Sequence, residues 1–514
     1  MFKTSGCITL TILASLLAFS LIAQETLATS EKNGSSKDLA IVKDCLKEEI
    51  AETLHDITVN GKEFQYKAIA GNLILRNEQH LPKASIFYTA YFKEGVKDTT
   101  DRPIVFCFNG GPGSSAVWLH IGLFGPRRVL MNEQGEGLPP YQVVNNEYSI
   151  LDLADLVFID PVSTGLSRAA PGEDAKQFHG VEEDIQSIGD FIRQFITTYE
   201  RWDSPKLLAG ESYGTTRAAG LAEHLHEDQH IYINGVILIS SVLNFQTLYD
   251  CSKGNDLPYP LYLPTYVATA WYHQKLNEDF QKDLNKALEE AKQFALTDYT
   301  LALMQGDKIP PSDYERTVQK LAYFTGLSPD FIARSNLRVN PYRFCMELLR
   351  TKNLTIGRFD SRFTGESLET SCDFPSYDPS FEAITGAFTA AFNQYLIKDL
   401  KVKSDREYKI LAPINSDWNF NKAKNQFLNM SEPLHDVMIK NKKLKVFVGS
   451  GYFDLATPFF ATDYTFNHLR LTPDLQKNIA MHYYDAGHMM YIQKKSLDQM
   501  RKDLETWIRS AILP

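Results

Sequence analysis

Pro205-Lys206-Leu207-Leu208-Ala209 running into Gly210-Glu211-Ser212-Tyr213-Gly214 is the stretch that decides the fold. Its first five residues read as a short buried strand. Downstream, Thr215 to His226 carries helical apolar spacing at Ala218, Leu221, Ala222 and Leu225. Between the two stands G-x-S-x-G. A serine on so tight a strand-to-helix turn is lifted above the sheet edge, with a helix N-terminus aimed at its hydroxyl. The pattern predicts an α/β sheet protein with Ser212 as a nucleophile.

Partners for that serine follow in the chain order Ser, Asp, His. Lys443 to Gly449 is strand-like and ends in Ser450-Gly451-Tyr452-Phe453-Asp454, a glycine-containing loop with a carboxylate at its tip. Ile479 to Tyr484 reads as another strand and opens into Asp485-Ala486-Gly487-His488-Met489. An imidazole just past a strand end can reach the serine on one side and the acid on the other. Upstream, the apolar run Pro103 to Phe108 enters Asn109-Gly110-Gly111-Pro112-Gly113-Ser114-Ser115. Glycines after a strand let backbone N–H groups turn inward as one arm of an oxyanion hole, the residue after the nucleophile giving the other. The expected donors are Gly111 and Tyr213. These glycines do not read as a phosphate loop, because no G-K-[ST] follows and the spacing is not G-x-G-x-x-G.

With these segments quoted, the chain resembles the serine carboxypeptidase family of the carboxypeptidase Y and cathepsin A type. Four blocks carry the likeness: Cys107 to Ser115 is similar to W-x-N-G-G-P-G-x-S, Leu156 to Ser167 to F-x-D-x-P-V-x-x-G-F-S, Gly210 to Tyr213 to G-E-S-Y, and Ala486 to Met489 to A-G-H-M. The resemblance implies an α/β-hydrolase fold, with a mostly parallel central sheet and an inserted helical lid. It implies Ser212, Asp454 and His488 as the triad, Gly111 and Tyr213 as oxyanion donors, and Asn109 and Glu211 as the grip on a peptide's free C-terminal carboxylate. A carboxylate beside Glu211 is tolerable only if one of the two acids holds a proton, which predicts a preference for acidic pH. The implied function is an exported serine-type carboxypeptidase acting on peptides or proteins through an acyl-enzyme, with no metal or other cofactor. An esterase or acyltransferase on the same scaffold is the alternative.

The departures are specific. Leu123, in Gly122-Leu123-Phe124-Gly125-Pro126, stands where the family usually has a second recognition glutamate. Cys107 and Ser114 replace the tryptophan and cysteine of the glycine-loop motif, so a disulfide common in eukaryotic members cannot form there, and the chain looks like a bacterial-type member. Asp160-Pro161-Val162 lacks the residue usual between acid and proline. Met489-Met490-Tyr491-Ile492 replaces the usual M-V-P.

A chain of 514 residues with 44% hydrophobic residues can bury a large core, and its net charge of −10 with no basic stripe argues against a nucleic-acid partner. Residues 1–28, with Lys3, an uncharged apolar run from Ile8 to Ala23 and small residues at Ala23 and Ala28, read as a signal peptide. The mature protein is expected to be periplasmic or secreted, without stable membrane insertion. Its core is expected in residues 29–243 and 405–514, interrupted by a lid over 244–404. Antiparallel strands are expected from Thr53 to Phe92, with an Asn60-Gly61 turn. The lid sequence suggests helices broken by Pro258, Pro260, Pro264, Pro310, Pro311 and Pro329. Within it Tyr266, Trp271 and Tyr272 read as packing residues, and Asp360 and Arg362 as surface charges. Five cysteines remain after cleavage, and Cys251 with Cys372 is the expected disulfide.

Overall fold

A ten-stranded mixed sheet runs through the molecule. The computed structural model describes residues 46–248 and 254–512, so the expected signal peptide lies outside the described residues. Three long antiparallel strands, β1 (Ile50–Val59), β2 (Lys62–Arg76) and β3 (Pro82–Lys93), form one side. Asn60 and Gly61 join the first two, both at positive φ, as a two-residue hairpin turn requires. The parallel strands follow: β4 (Ile104–Phe108), β5 (Asp155–Ile159), β6 (Lys206–Glu211), β7 (Gly235–Ile239), β8 (Lys445–Gly451) and β9 (Ile479–Tyr484). Their spatial order is β1-β2-β3-β5-β4-β6-β7-β8-β9, and a short strand, Arg168–Ala169, pairs with β3. β4, β5, β6 and β7 are buried along their whole length, which is why their central residues are apolar.

From β4 the chain moves to one side to make β5 and then crosses back to place β6 on the other. That reversal opens a crevice at the carboxyl ends of β4 and β6, the place where open α/β sheets bind ligands. Helices α1 (Val181–Thr198) and α2 (Tyr213–Glu227) cover one face with Ile188, Phe191, Leu221 and Ala222. Between β7 and β8 lie α3 (Pro258–Tyr272), α4 (Leu284–Phe294), α5 (Pro311–Thr325) and α6 (Pro379–Lys398). On the opposite face, α6 and α7 (Lys494–Ile512) supply Phe388, Phe392, Leu504 and Trp507. The first three helices of the insertion share a core that includes Phe453, Leu455 and Phe459, so this layer is packed onto the loop after β8.

Several lid expectations change. Pro258, Pro311 and Pro329 start helices, where the missing N–H costs no bond, whereas Pro264 lies inside α3. Cys372 is a free thiol that donates to Glu369, and Cys251, its expected partner, lies outside the described residues. Tyr266 does pack, stacked on Phe344, and the Trp271 indole donates to the Gln281 carbonyl.

Under the crevice the Arg217 side chain is fully buried. Its Nε donates to Asp184 at 2.7 Å and its Nη1 to the Asn109 carbonyl at 2.6 Å, so it ties α1, α2 and the loop after β4 together. Arg217→Met leaves the Asp184 carboxyl buried without its partner. The expected loss of stability, measured from denaturant midpoints, is about 3–5 kcal/mol. Adding Asp184→Asn in the same chain should recover part of it.

Candidate active site

Ser212 lies between β6 and α2 at φ 58°, a left-handed conformation uncommon for a residue with a side chain. The loop after β4 presses against this turn. A Cβ on Gly110 would stand 2.4 Å from the Tyr213 nitrogen, so only glycine permits the approach. Tyr213 begins α2 and its N–H has no partner within the helix. Gly111, at φ 103°, borders the same cleft. Asp160 braces this loop by accepting from the Ala116 N–H at 2.9 Å and the Tyr408 hydroxyl at 3.0 Å, and burial pushes its carboxyl up to about 7. Ser114 accepts from the Trp118 indole at 2.9 Å.

His488 Nδ1 and Asp454 Oδ2 are 2.7 Å apart, both residues buried. That hydrogen bond commits Nδ1 and leaves Nε2 for the cleft. Asp454 also accepts from the backbone N–H groups of Ala456 and Thr457 and from the Thr457 hydroxyl, at 2.7, 3.0 and 2.7 Å. Burial works against charge on His488, but Asp454 and Glu211 together hold its pKa above the ordinary histidine value. Ser212 makes no side-chain hydrogen bond with a described residue, a looseness common before substrate arrives.

Glu211 is 3% exposed, and burial pushes its carboxyl up to about 7 despite His488, Tyr491 and Asn109, which favour its ionised form. The Tyr491 hydroxyl donates to Glu211 Oε2 at 2.5 Å. With that oxygen taken by a donor, an acid proton on Glu211 belongs on Oε1. Asn109 uses Oδ1 to accept from the Leu119 N–H at 3.1 Å, while its buried Nδ2 has no partner of good geometry. Leu123 lies in the core cluster away from the cleft, and the neighbouring Gly122 makes room for the Tyr491 ring.

These residues border one cleft of about 580 Å³ that contains Asn109, Gly111, Glu211, Ser212, Tyr213 and His488 and is otherwise largely apolar, with Trp118, Phe245, Phe359, Phe381 and Pro413. Asp454 stands behind His488. A larger groove beside Glu223, Glu227 and Asn429 lies away from this chemistry.

Five residues, in four cases, escape a reading of the sequence. Tyr491 shows only as a departure from M-V-P, and Thr457 only as a hydroxyl three residues after an acid. Ser240, whose hydroxyl donates to the His488 carbonyl at 2.6 Å, leaves no local signal. Asp360 and Arg362 are the fourth case and a correction, because they are not surface charges. Asp360 is 3% exposed and accepts from Arg362 through both oxygens. It also accepts from the Gly487 N–H at 3.1 Å, while Arg362 donates to the Asp485 carbonyl at 2.6 Å. The Phe359 carbonyl accepts from the His488 N–H at 2.6 Å. A Cβ on Gly487 would lie 2.4 Å from both Phe359 and Asp360. The segment from Phe359 to Arg362 therefore holds the histidine loop from the lid side, and its charges are buried because the loop's N–H and carbonyl groups need partners.

With the geometry established, comparison with known proteins is informative. The family model described as serine carboxypeptidase matches residues 61–502. Carboxypeptidase Y homolog A of Uncinocarpus reesii is 26% identical over 218 residues, 41% of this chain and 34% of that protein. Serine carboxypeptidase-like 38 of Arabidopsis thaliana is 31% identical over 160 residues, 29% of this chain and 31% of that protein. The chain thus spans about a third of the length of these relatives. A crystal structure of KEX1(delta)p, a prohormone-processing carboxypeptidase from Saccharomyces cerevisiae, matches with a TM-score of 0.53 at 16% identity, covering 86% of this chain and 91% of that one. At that identity the match is one of fold.

Arg362→Met should cut the tie between lid and histidine loop. The expected result is a fall of about 10- to 100-fold in kcat with KM little changed, the scale of a misplaced catalytic group. Fluorophosphonate labelling of Ser212 should slow in parallel, and Arg362→Lys should restore part of both.

Proposed function

The chain belongs to the serine carboxypeptidase family, and on that premise we propose that it is an exported enzyme that removes residues from the C-terminus of peptides through an acyl-enzyme. The observation that carries the reading is Glu211: a buried carboxyl with a pKa of about 7, directly before the proposed nucleophile, bordering the cleft beside Asn109. A substrate without a free carboxylate, such as a simple ester, gains nothing from a proton held at that position. A substrate ending in a carboxylate does gain, because the Glu211 proton turns a repulsion between two anions into a hydrogen bond. Asn109 Nδ2, buried and without a hydrogen bond of good geometry, supplies a second donor.

In the proposed cycle Ser212 Oγ attacks the carbonyl carbon of the last peptide bond and its proton passes to His488 Nε2. The oxyanion accepts from the Gly111 and Tyr213 N–H groups. His488 then gives the proton to the leaving amine, the C–N bond breaks and the acyl group remains on Ser212. Water, activated by the same imidazole, releases it. Asp454 holds the imidazole and favours its charged form. The insertion between β7 and β8 supplies Phe245, Leu248, Arg358, Phe359 and Phe381 to the wall of the cleft, which is the part a lid plays. Among the described residues no helix is long and apolar enough to cross a membrane, and export rests on the N-terminal apolar segment.

Glu211 and His488 each raise or lower the other's proton affinity, so they titrate as a pair. An arriving carboxylate favours the arrangement with the proton on Glu211 and a neutral His488, which is the reactive one. Peptide kcat/KM should therefore fall as pH rises past about 7, where Glu211 loses its proton. It should also fall on the acid side, as His488 charges. Ester turnover needs only neutral His488 and should keep rising to its plateau. Glu211→Gln should abolish the alkaline fall on peptides. It also removes a charge that raises the His488 pKa, so the acid limb of both profiles should move to lower pH. An alkaline fall that survives in Glu211→Gln means the grip is made elsewhere.

A further inference from the structure

Arg358 is the only lysine or arginine bordering the active-site cleft among the described residues. It follows the short strand Leu354–Ile356 and is half-buried. Its guanidinium lies 4.6 Å from the centre of the Phe359 ring and 5.9 Å from that of Tyr342. No described carboxylate pairs with it. Asp378 comes close, yet it accepts from the Arg358 backbone N–H and not from the side chain. Arg217 and Arg362, which lie against the catalytic loops, are each matched to an acid. A guanidinium stacked on two aromatic faces is held in orientation while the donors on its edge stay free. Such an edge suits a carboxylate, which it binds through two parallel hydrogen bonds.

The position of Arg358 says which part of a substrate it meets. Phe359, on which it stacks, has its ring 5.0 Å from the His488 ring and holds the His488 N–H with its own carbonyl. Phe381 and Trp118 continue that wall, with ring centres 5.8 and 6.0 Å apart in succession. In the cycle above the leaving residue must lie on the His488 side, because its nitrogen takes the proton from that imidazole. Its main-chain carboxylate is engaged by Glu211 and Asn109, so what remains to face Arg358 is the side chain. The opposite charge preference is unfavourable there, since a lysine side chain would meet a second cation on an otherwise apolar wall.

We propose that Arg358 selects peptides whose C-terminal residue carries a side-chain carboxylate, aspartate or glutamate. This rests on the carboxypeptidase reading and goes beyond it by naming the leaving residue.

The test uses N-blocked peptides that differ only in the last residue, Glu, Gln, Leu or Lys, at about pH 6, where a substrate glutamate is ionised. The wild-type enzyme should prefer Glu over Gln by about 10- to 100-fold in kcat/KM, the range of one hydrogen bond to a charged group, and should act least on Lys. Arg358→Met should cancel the Glu-to-Gln ratio, and Arg358→Glu should turn the preference toward Lys. Equal cleavage of Glu and Gln peptides by the wild type overturns the proposal. So does a ratio that persists in Arg358→Met while all peptides slow together, which would assign the guanidinium to the main-chain carboxylate. Either result leaves the carboxypeptidase reading standing. No cleavage of any of the four by the wild type removes that reading and the proposal with it.

Discussion

The sharp turn at Ser212 is the constraint on which the rest of the site depends. A strand that ends and a helix that begins within one residue force Ser212 into φ 58°, a conformation that costs about 1–3 kcal/mol and persists only when its surroundings impose it. Three consecutive residues then point three ways. Glu211, the last residue of β6, is buried; Ser212 stands in the cleft; Tyr213 presents an N–H at the start of a helix. Gly110 and the Arg217–Asp184 pair hold that turn against the loop after β4. Because the three residues are consecutive, whatever fixes the turn fixes all three groups at once.

A second dependence links chemistry to the lid. His488 is positioned from below by Asp454 and Ser240 and from above by the Phe359 carbonyl, while the Arg362–Asp360 pair fastens the residues just before it. The lid segment that carries these contacts also carries Arg358 into the cleft. Under the proposed reading, positioning of the base and selection of the leaving residue are built on one stretch of chain. Tyr491 extends the same economy from the other side. Four residues after Gly487, it crosses back to Glu211, where its hydroxyl occupies one carboxyl oxygen, a donor that no side chain of M-V-P carries.

Most of the sheet and the placement of Ser212, Asp454 and His488 just past strand ends are legible in the sequence because both are local. β4, β6, β8 and β9 are short apolar runs ending in glycine-bearing loops, and a strand, its loop and the residue at the tip are encoded within about ten positions. The hairpin at Asn60-Gly61 is legible for the same reason. Asp360 and Arg362 are not, because two opposite charges two residues apart look the same whether solvent or the Gly487 N–H lies beside them. Their burial is decided by a contact across 127 residues. The lid prolines mislead for a related reason. A proline signals a break, and only the fold shows whether it ends one helix or starts the next. Tyr491 is visible as a departure but not as a partner, since nothing in Met489 to Ile492 points to a carboxyl 280 residues upstream.

The central claim is that a proton held on Glu211 receives the free carboxylate of a peptide. The most direct measurement compares an N-blocked dipeptide with its C-terminal amide at about pH 5, near the ordinary carboxyl range and well below the Glu211 pKa of about 7. The account predicts that the free acid is cleaved faster than the amide by at least about tenfold in kcat/KM, as one charged hydrogen bond requires, and that the difference shrinks as pH rises past about 7. Equal rates for acid and amide at the lower pH would contradict it.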